Sequence, residues 1–102
     1  MAIVSRIEEL SPEVVFFLMA ALLEGRISRP AACALVRPWV EGDRLVTSSA
    51  EAGAQLIHGF DVVIGIDGLA RHESQSASGE YAVAESEMIE RIRAWLDRHS
   101  GT

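Results

Sequence analysis

Val14-Val15-Phe16-Phe17-Leu18-Met19-Ala20-Ala21-Leu22-Leu23 is an unbroken run of ten apolar residues, and its reading decides the fold. Ser11-Pro12-Glu13 precede it and Glu24-Gly25-Arg26 follow it. Ser11 can accept from the unpaired amides of a first helical turn, Pro12 suits the first helical position, and Glu13 favours the positive end of the helix dipole. Gly25 can take the left-handed conformation that closes a helix. The spacing therefore predicts a helix over 12–24 that is apolar on every face and needs cover on every face. Ten residues rising 1.5 Å each reach about 15 Å, half of a bilayer's hydrocarbon thickness, so the run is too short to span a membrane.

Outward from this run the chain reads as further helices. Ile3, Val4, Ile7 and Leu10 have helical spacing over 1–10. Ser28 caps a helix from Arg29 through Val36, which Pro38 should end or kink because proline cannot donate to the carbonyl of Ala34. The four-residue link Gly25–Ser28 makes these first two main helices neighbours. Thr47, Ser48 and Ser49 with Glu51 predict a capped helix with Ala50, Ala54 and Ile57 on one face, ending near His58-Gly59. Gly53 costs it about 1 kcal/mol relative to alanine unless a neighbouring helix packs close there. From Ser86, residues Met88, Ile89, Ile92, Trp95 and Leu96 mark the clearest amphipathic helix.

Phe60–Leu69 is the ambiguous stretch. Val62, Val63, Ile64 and Ile66 prefer strand, but a strand needs a partner, which a second chain or Glu80–Val83 would have to supply. A short extended segment and a coil packed on the helices both remain open. Residues 70–80 are small and polar, and are expected to be a mobile loop. The expected architecture is one all-α domain over 1–102: a small four-helix bundle around the central helix, with an irregular or briefly extended segment near 60–69.

Composition narrows the function. At 102 residues and 49% hydrophobic, the chain can bury a core without disulfides or metal. Its one cysteine, Cys33, lies among Ala31, Ala32, Ala34 and Leu35 and reads as a small buried hydrophobe, which suits a reducing cytoplasm. No basic-then-apolar leader opens the sequence. All nine basic residues are arginine and neither lysine nor asparagine occurs, the composition expected of a GC-rich, bacterial genome. Residues 61–90 hold seven acids against one arginine and so carry the whole net charge of −6. That argues against nucleic acid as a partner and suits a protein with a basic surface. Asp61, Asp67, Glu73, Glu80, Tyr81, Glu85 and Glu87 are the expected partner-binding residues.

No catalytic constellation is expected. The best metal or acid–base group is Asp61, Asp67, His72 and Glu73, with His58 as a further zinc ligand, but no His-Glu-x-x-His, paired-cysteine or calcium-loop spacing supports it. Ser74, Ser76 and Ser78 flank His72 without the rigid supports a triad needs. No cofactor and no metal are therefore expected.

Gly25-Arg26-Ile27-Ser28-Arg29-x-x-Ala32 followed by Pro38-Trp39-Val40, then Ile57-His58-Gly59-Phe60-Asp61 and the terminal Trp95-Leu96, resembles small acidic proteins of GC-rich bacteria. Several of that helical, acidic shape look like immunity proteins, including the colicin D immunity type. The likeness covers Glu24–Asp61 and the last helix, with 62–80 as an insertion. It implies a non-enzymatic inhibitor that neutralises a cognate toxin. The alternatives are a homodimeric structural or adaptor protein built on the apolar helix, and a small metal-dependent enzyme using His72 and its neighbouring carboxylates.

Overall fold

The computed structural model describes residues 10–42 and 48–100. Residues 1–9 of the expected helix over 1–10, and the capping part of Thr47, fall outside those residues, while Leu10 is buried and not helical. Helix α1 runs Pro12–Leu23, with the Ser11 hydroxyl accepting from the Val14 amide at 3.3 Å. Its end is closed by Gly25 at φ 72°, with the Arg26 amide donating to the Ala21 carbonyl at 2.8 Å and the Gly25 amide to Leu22 at 3.2 Å. This is the paired closure that a left-handed residue after a helix permits. Helix α2 spans Arg29–Val40 and is capped by Ser28, whose hydroxyl accepts from Ala31. It does not stop at Pro38. The missing amide falls near the helix end, and the Glu41 amide still reaches the Arg37 carbonyl at 2.8 Å. Helices α3 (Ser48–Phe60) and α4 (Glu85–Ser100) complete the helical set among the described residues. Ser86 lies inside α4 and does not precede it.

Helix α1 meets its need for cover mainly from α3 and α4. Val15, Leu18, Met19, Ala21 and Leu22 are buried, while Phe16 keeps an exposed edge. The anticipated pairing of α1 with α2 is the weaker one, because α2 packs chiefly on α3. Ala50, Ala54 and Ile57 of α3 are buried, as their spacing implied, and Met88, Ile92 and Trp95 of α4 close the same core. Gly53 is the point where these helices meet. A Cβ there would overlap the Val15 side chain and lie 3.0 Å from the Trp95 indole. The helix-weakening glycine is thus what lets α1 and α4 approach α3.

The all-α expectation is corrected by a three-stranded antiparallel sheet, so the chain is a mixed α/β fold. Its strands are β1 (Val62–Ile64), β2 (Ala70–His72) and β3 (Glu80–Tyr81), in the order β2-β1-β3. Val62, Val63 and Ile64 face His72, Arg71 and Ala70, and on the other side Val63 and Ile64 face Tyr81 and Glu80. The partner foreseen within Glu80–Val83 is present. The second partner comes from 70–80, where a loop was expected, and a short 3-10 turn at Glu73–Gln75 follows it. Ala-Arg-His has little strand preference of its own. Its place is set by the turn Gly65–Leu69, where the Gly65 amide donates to the Leu69 carbonyl at 3.1 Å and Asp67 Oδ1 accepts from the Leu69 amide at 3.1 Å. Arg71 grips the Asp67 carboxylate with two bonds, at 3.1 and 2.7 Å. Gly79, at φ 153°, lets β3 close on β1, since a Cβ there would strike the Ile64 carbonyl.

Replacing Gly53 with alanine should therefore destabilise the protein despite its better helix propensity. We expect a loss of about 1–3 kcal/mol from overpacking, read as a lower urea midpoint with unchanged slope. A gain in stability would show that α3 can move away from Val15 and Trp95.

Candidate functional site

Where α3 passes into β1, the chain places Asp61, whose side chain is 0% exposed. A carboxylate without water must find donors inside the protein. The Ser74 amide supplies bonds of 3.0 and 3.2 Å to its two oxygens, and the Ser74 hydroxyl a third. Nδ1 of His72 lies 3.1 Å from Oδ2, and the Arg37 guanidinium stands 3.9 Å away. The Asp61 main-chain carbonyl also accepts from the Glu73 amide at 3.0 Å. Burial by itself would raise the carboxyl's pKa. The bonds from Ser74, Cys33 and His72 outweigh it and hold the group below the ordinary carboxylate value, so Asp61 is charged in the fold.

Three further groups converge on this carboxylate from different elements. Cys33 on α2 is buried, its Sγ 3.8 Å from His72 Nδ1 and 3.6 Å from Arg37 Nη2. His58 near the end of α3 packs against His72 with ring centroids 4.2 Å apart and planes tilted by 56°, and meets Glu41 at 2.6 Å through Nε2. Arg37 donates to Ser74 and to Glu41. Burial pushes the Cys33 thiol up to about 11, with the Asp61 charge adding to it against the Ser74 hydrogen bond, so the thiol keeps its proton at neutral pH. The donor atoms of Cys33, His58 and His72 all lie within 4.8 Å of one another.

The anticipated quartet of Asp61, Asp67, His72 and Glu73 does not assemble. Asp61 and His72 meet, but Asp67 sits in the exposed turn held by Arg71, and Glu73 accepts from the Tyr81 hydroxyl. Sequence reading missed Arg37, took Cys33 only as a buried hydrophobe, and set Ser74 aside as a residue of a mobile loop. Asp61, His72 and His58 carried a signal as possible ligands, His58 lying two residues before the end of α3. The seven expected partner-binding residues are divided as well. Asp61 is withdrawn from the surface, Glu73 and Glu87 are half-buried, and Asp67, Glu80, Tyr81 and Glu85 are exposed. Glu87 pairs with Arg91. Among the described residues no ion pair engages Glu80 or Glu85.

The exposed side chains that stand out are apolar. Of the five exposed large hydrophobic residues on the described surface, Ile64, Ile66, Leu69 and Tyr81 belong to the sheet and its turn, with Ile66 fully in solvent, and Phe16 lies on α1. A groove of about 600 Å³ runs between Ile64, Ile66, Glu80 and Tyr81. Arg29, itself buried, supports this face from beneath. Its Nη1 donates to the carbonyls of Phe60 at 3.2 Å and Val83 at 2.6 Å, and its guanidinium lies 3.9 Å from the Tyr81 ring centroid. Among the described residues no helix is long and apolar enough to cross a membrane. No protein-family model, curated protein or solved structure matches this chain.

Two outcomes test the buried cluster. Asp61→Asn should cost about 3 kcal/mol or more near neutral pH, because it removes a charged acceptor and leaves Arg37 and His72 facing an amide. Asp61's folded pKa lies below the unfolded one, so its contribution is complete above about pH 4 and fades as pH falls through the folded value. The gap between wild type and Asp61→Asn in urea unfolding should accordingly narrow on acidification. A gap constant down to about pH 2 would mean that Asp61 is not a charged acceptor in the fold. Secondly, Cys33 should react with a disulfide reagent at least about a hundredfold more slowly in the folded protein than in urea, as a buried, protonated thiol does.

Proposed function

We propose that the chain is a non-enzymatic protein-binding module of the immunity or antitoxin kind. In this reading it acts in the cytoplasm and covers a basic site on a partner protein. The contact is made by the outer part of the sheet, with Ile64, Ile66, Leu69 and Tyr81 as apolar anchors and Glu80 and Glu85, unpaired among the described residues, as an acidic rim. The observation that carries the reading is the concentration of exposed large hydrophobic residues on this one sheet. A small domain gains nothing in stability from an isoleucine held wholly in water, and apolar residues bordered by charge are the usual make-up of a protein-binding surface. The acidic rim supplies selectivity for a basic partner and speeds association.

The interface is narrower than the acidic third of the sequence implied. Asp67 is neutralised by Arg71, Glu87 by Arg91, and Asp61 is inside the protein. Glu80 and Glu85 therefore carry the electrostatic part, and the isoleucines the remainder. The buried free thiol, Cys33, is in keeping with a reducing compartment.

The test uses the protein encoded beside this chain as the binding partner, in surface plasmon resonance at two salt concentrations. Glu80→Gln with Glu85→Gln should slow association several-fold at low salt and flatten the salt dependence. Ile66→Ser should instead speed dissociation by about tenfold, equivalent to some 1.4 kcal/mol. Association that ignores both changes overturns the reading. Light scattering at micromolar concentration supplies the other arm: a dimer that Ile66→Ser converts to monomer would replace the foreign partner with a second copy of this chain.

A further inference from the structure

We propose that Cys33, His58, His72 and Asp61 form a binding site for a single soft divalent transition-metal ion, with zinc the occupant the ligand set favours. The four residues come from α2, the end of α3, the link between α3 and β1, and β2, so the ion would bind the sheet to the helix pair beneath it.

Two of the observed spacings are close to those of a tetrahedral shell. Zinc–nitrogen and zinc–oxygen bonds of about 2.0–2.1 Å and a zinc–sulfur bond of about 2.3 Å place neighbouring ligand atoms about 3.3 Å apart, or about 3.6 Å where sulfur is one of them. His72 Nδ1 lies 3.1 Å from Asp61 Oδ2 and 3.8 Å from Cys33 Sγ. Cys33, His58 and His72 each offer a donor atom within 4.8 Å of the other two, and Asp61 joins this trio through His72, so the side chains must draw inward for the four to close on one ion. One thiolate, two imidazoles and one carboxylate suit zinc and related ions, whereas magnesium and calcium require several oxygens.

The surroundings also resemble those of a metal centre. Glu41 Oε2, at 2.6 Å, accepts from the Nε2–H of His58 and leaves the Nδ1 lone pair for the ion, the carboxylate–histidine arrangement that orients metal ligands. Arg37 Nη2, 3.6 Å from Sγ, can donate to the thiolate once it forms. The Ser74 amide bonds to both Asp61 oxygens, so Oδ1 keeps its partner when Oδ2 turns to the ion. The His58 and His72 side chains are each 18% exposed, which leaves a route from solvent to an otherwise buried group. Thiolate and carboxylate together balance the dication. On coordination the Cys33 thiol loses its proton to solvent, while the His72 proton moves from Nδ1 to Nε2 by exchange with water, so the net release is one proton per ion.

The experiment is a titration of the chelator-treated full chain with Co²⁺ and then Zn²⁺. Expected are one Co²⁺ per chain, visible bands of tetrahedral cobalt with a thiolate charge-transfer band in the near ultraviolet, and displacement of Co²⁺ by Zn²⁺ but not by Mg²⁺ or Ca²⁺. Cys33→Ser should abolish the charge-transfer band, and His72→Ala should weaken binding at least tenfold, with far-ultraviolet circular dichroism reporting whether each variant folds. Wild-type protein in weak buffer at neutral pH should release one proton per Zn²⁺, and its unfolding temperature should rise with Zn²⁺ concentration. Absence of tetrahedral bands in the wild type, no proton release, or a charge-transfer band that survives Cys33→Ser would each overturn the proposal.

Discussion

A charged carboxylate sealed from water constrains everything around it. Asp61 lies between the last turn of α3 and the first residue of β1, with no exposed surface. Its oxygens are satisfied only when the 3-10 turn folds back to offer Ser74, when β2 brings His72 alongside β1, and when α2 presents Arg37. Unmaking any one of these leaves a buried charge short of a donor, at a cost well above that of a lost surface contact. One residue thereby couples the helix pair α2–α3 to the sheet.

Arg29 plays the opposite part at the other side of the sheet. Its buried guanidinium joins the carbonyl that ends α3 to the carbonyl of Val83 ahead of α4, and supports the Tyr81 ring. Strands of three, three and two residues are too short to be stable without such support. The two buried charges are not partners to each other. Each is neutralised locally by polar groups, and between them they hold both edge strands, β2 and β3, against the helices. The sheet can therefore expose isoleucines at its outer turn without depending on them for its own position.

Charge in the acidic third proves to have three separate uses. Asp61 works inside the protein, Asp67 and Glu87 are held by arginines four residues away, and Glu73 receives the Tyr81 hydroxyl. A sum over sequence counts these residues equally, but only an unpaired, solvated carboxylate projects a field toward a partner. The acidic surplus is thus as much a structural ingredient as a surface property.

The sequence by itself determined the helices. Caps at Ser11 and Ser28, closure at Gly25, and the apolar spacing of Ala50–Ile57 and Met88–Trp95 are local signals, set by hydrogen bonds and periodicity within a few residues, and the structure follows them. It also marked Val62–Ile64 as strand-prone. The tertiary structure alone decided that Ala70–His72 would pair with it, because that strand draws its stability from partners across the sheet and not from its own side chains. The same holds for the site. Cys33, Arg37, His58, Asp61, His72 and Ser74 are spread over 42 positions with no recognisable spacing, and they meet because α2, α3 and β2 converge on one buried charge. Long-range convergence of this kind leaves no local trace in a sequence, since the interactions that enforce it exist only after the chain has folded.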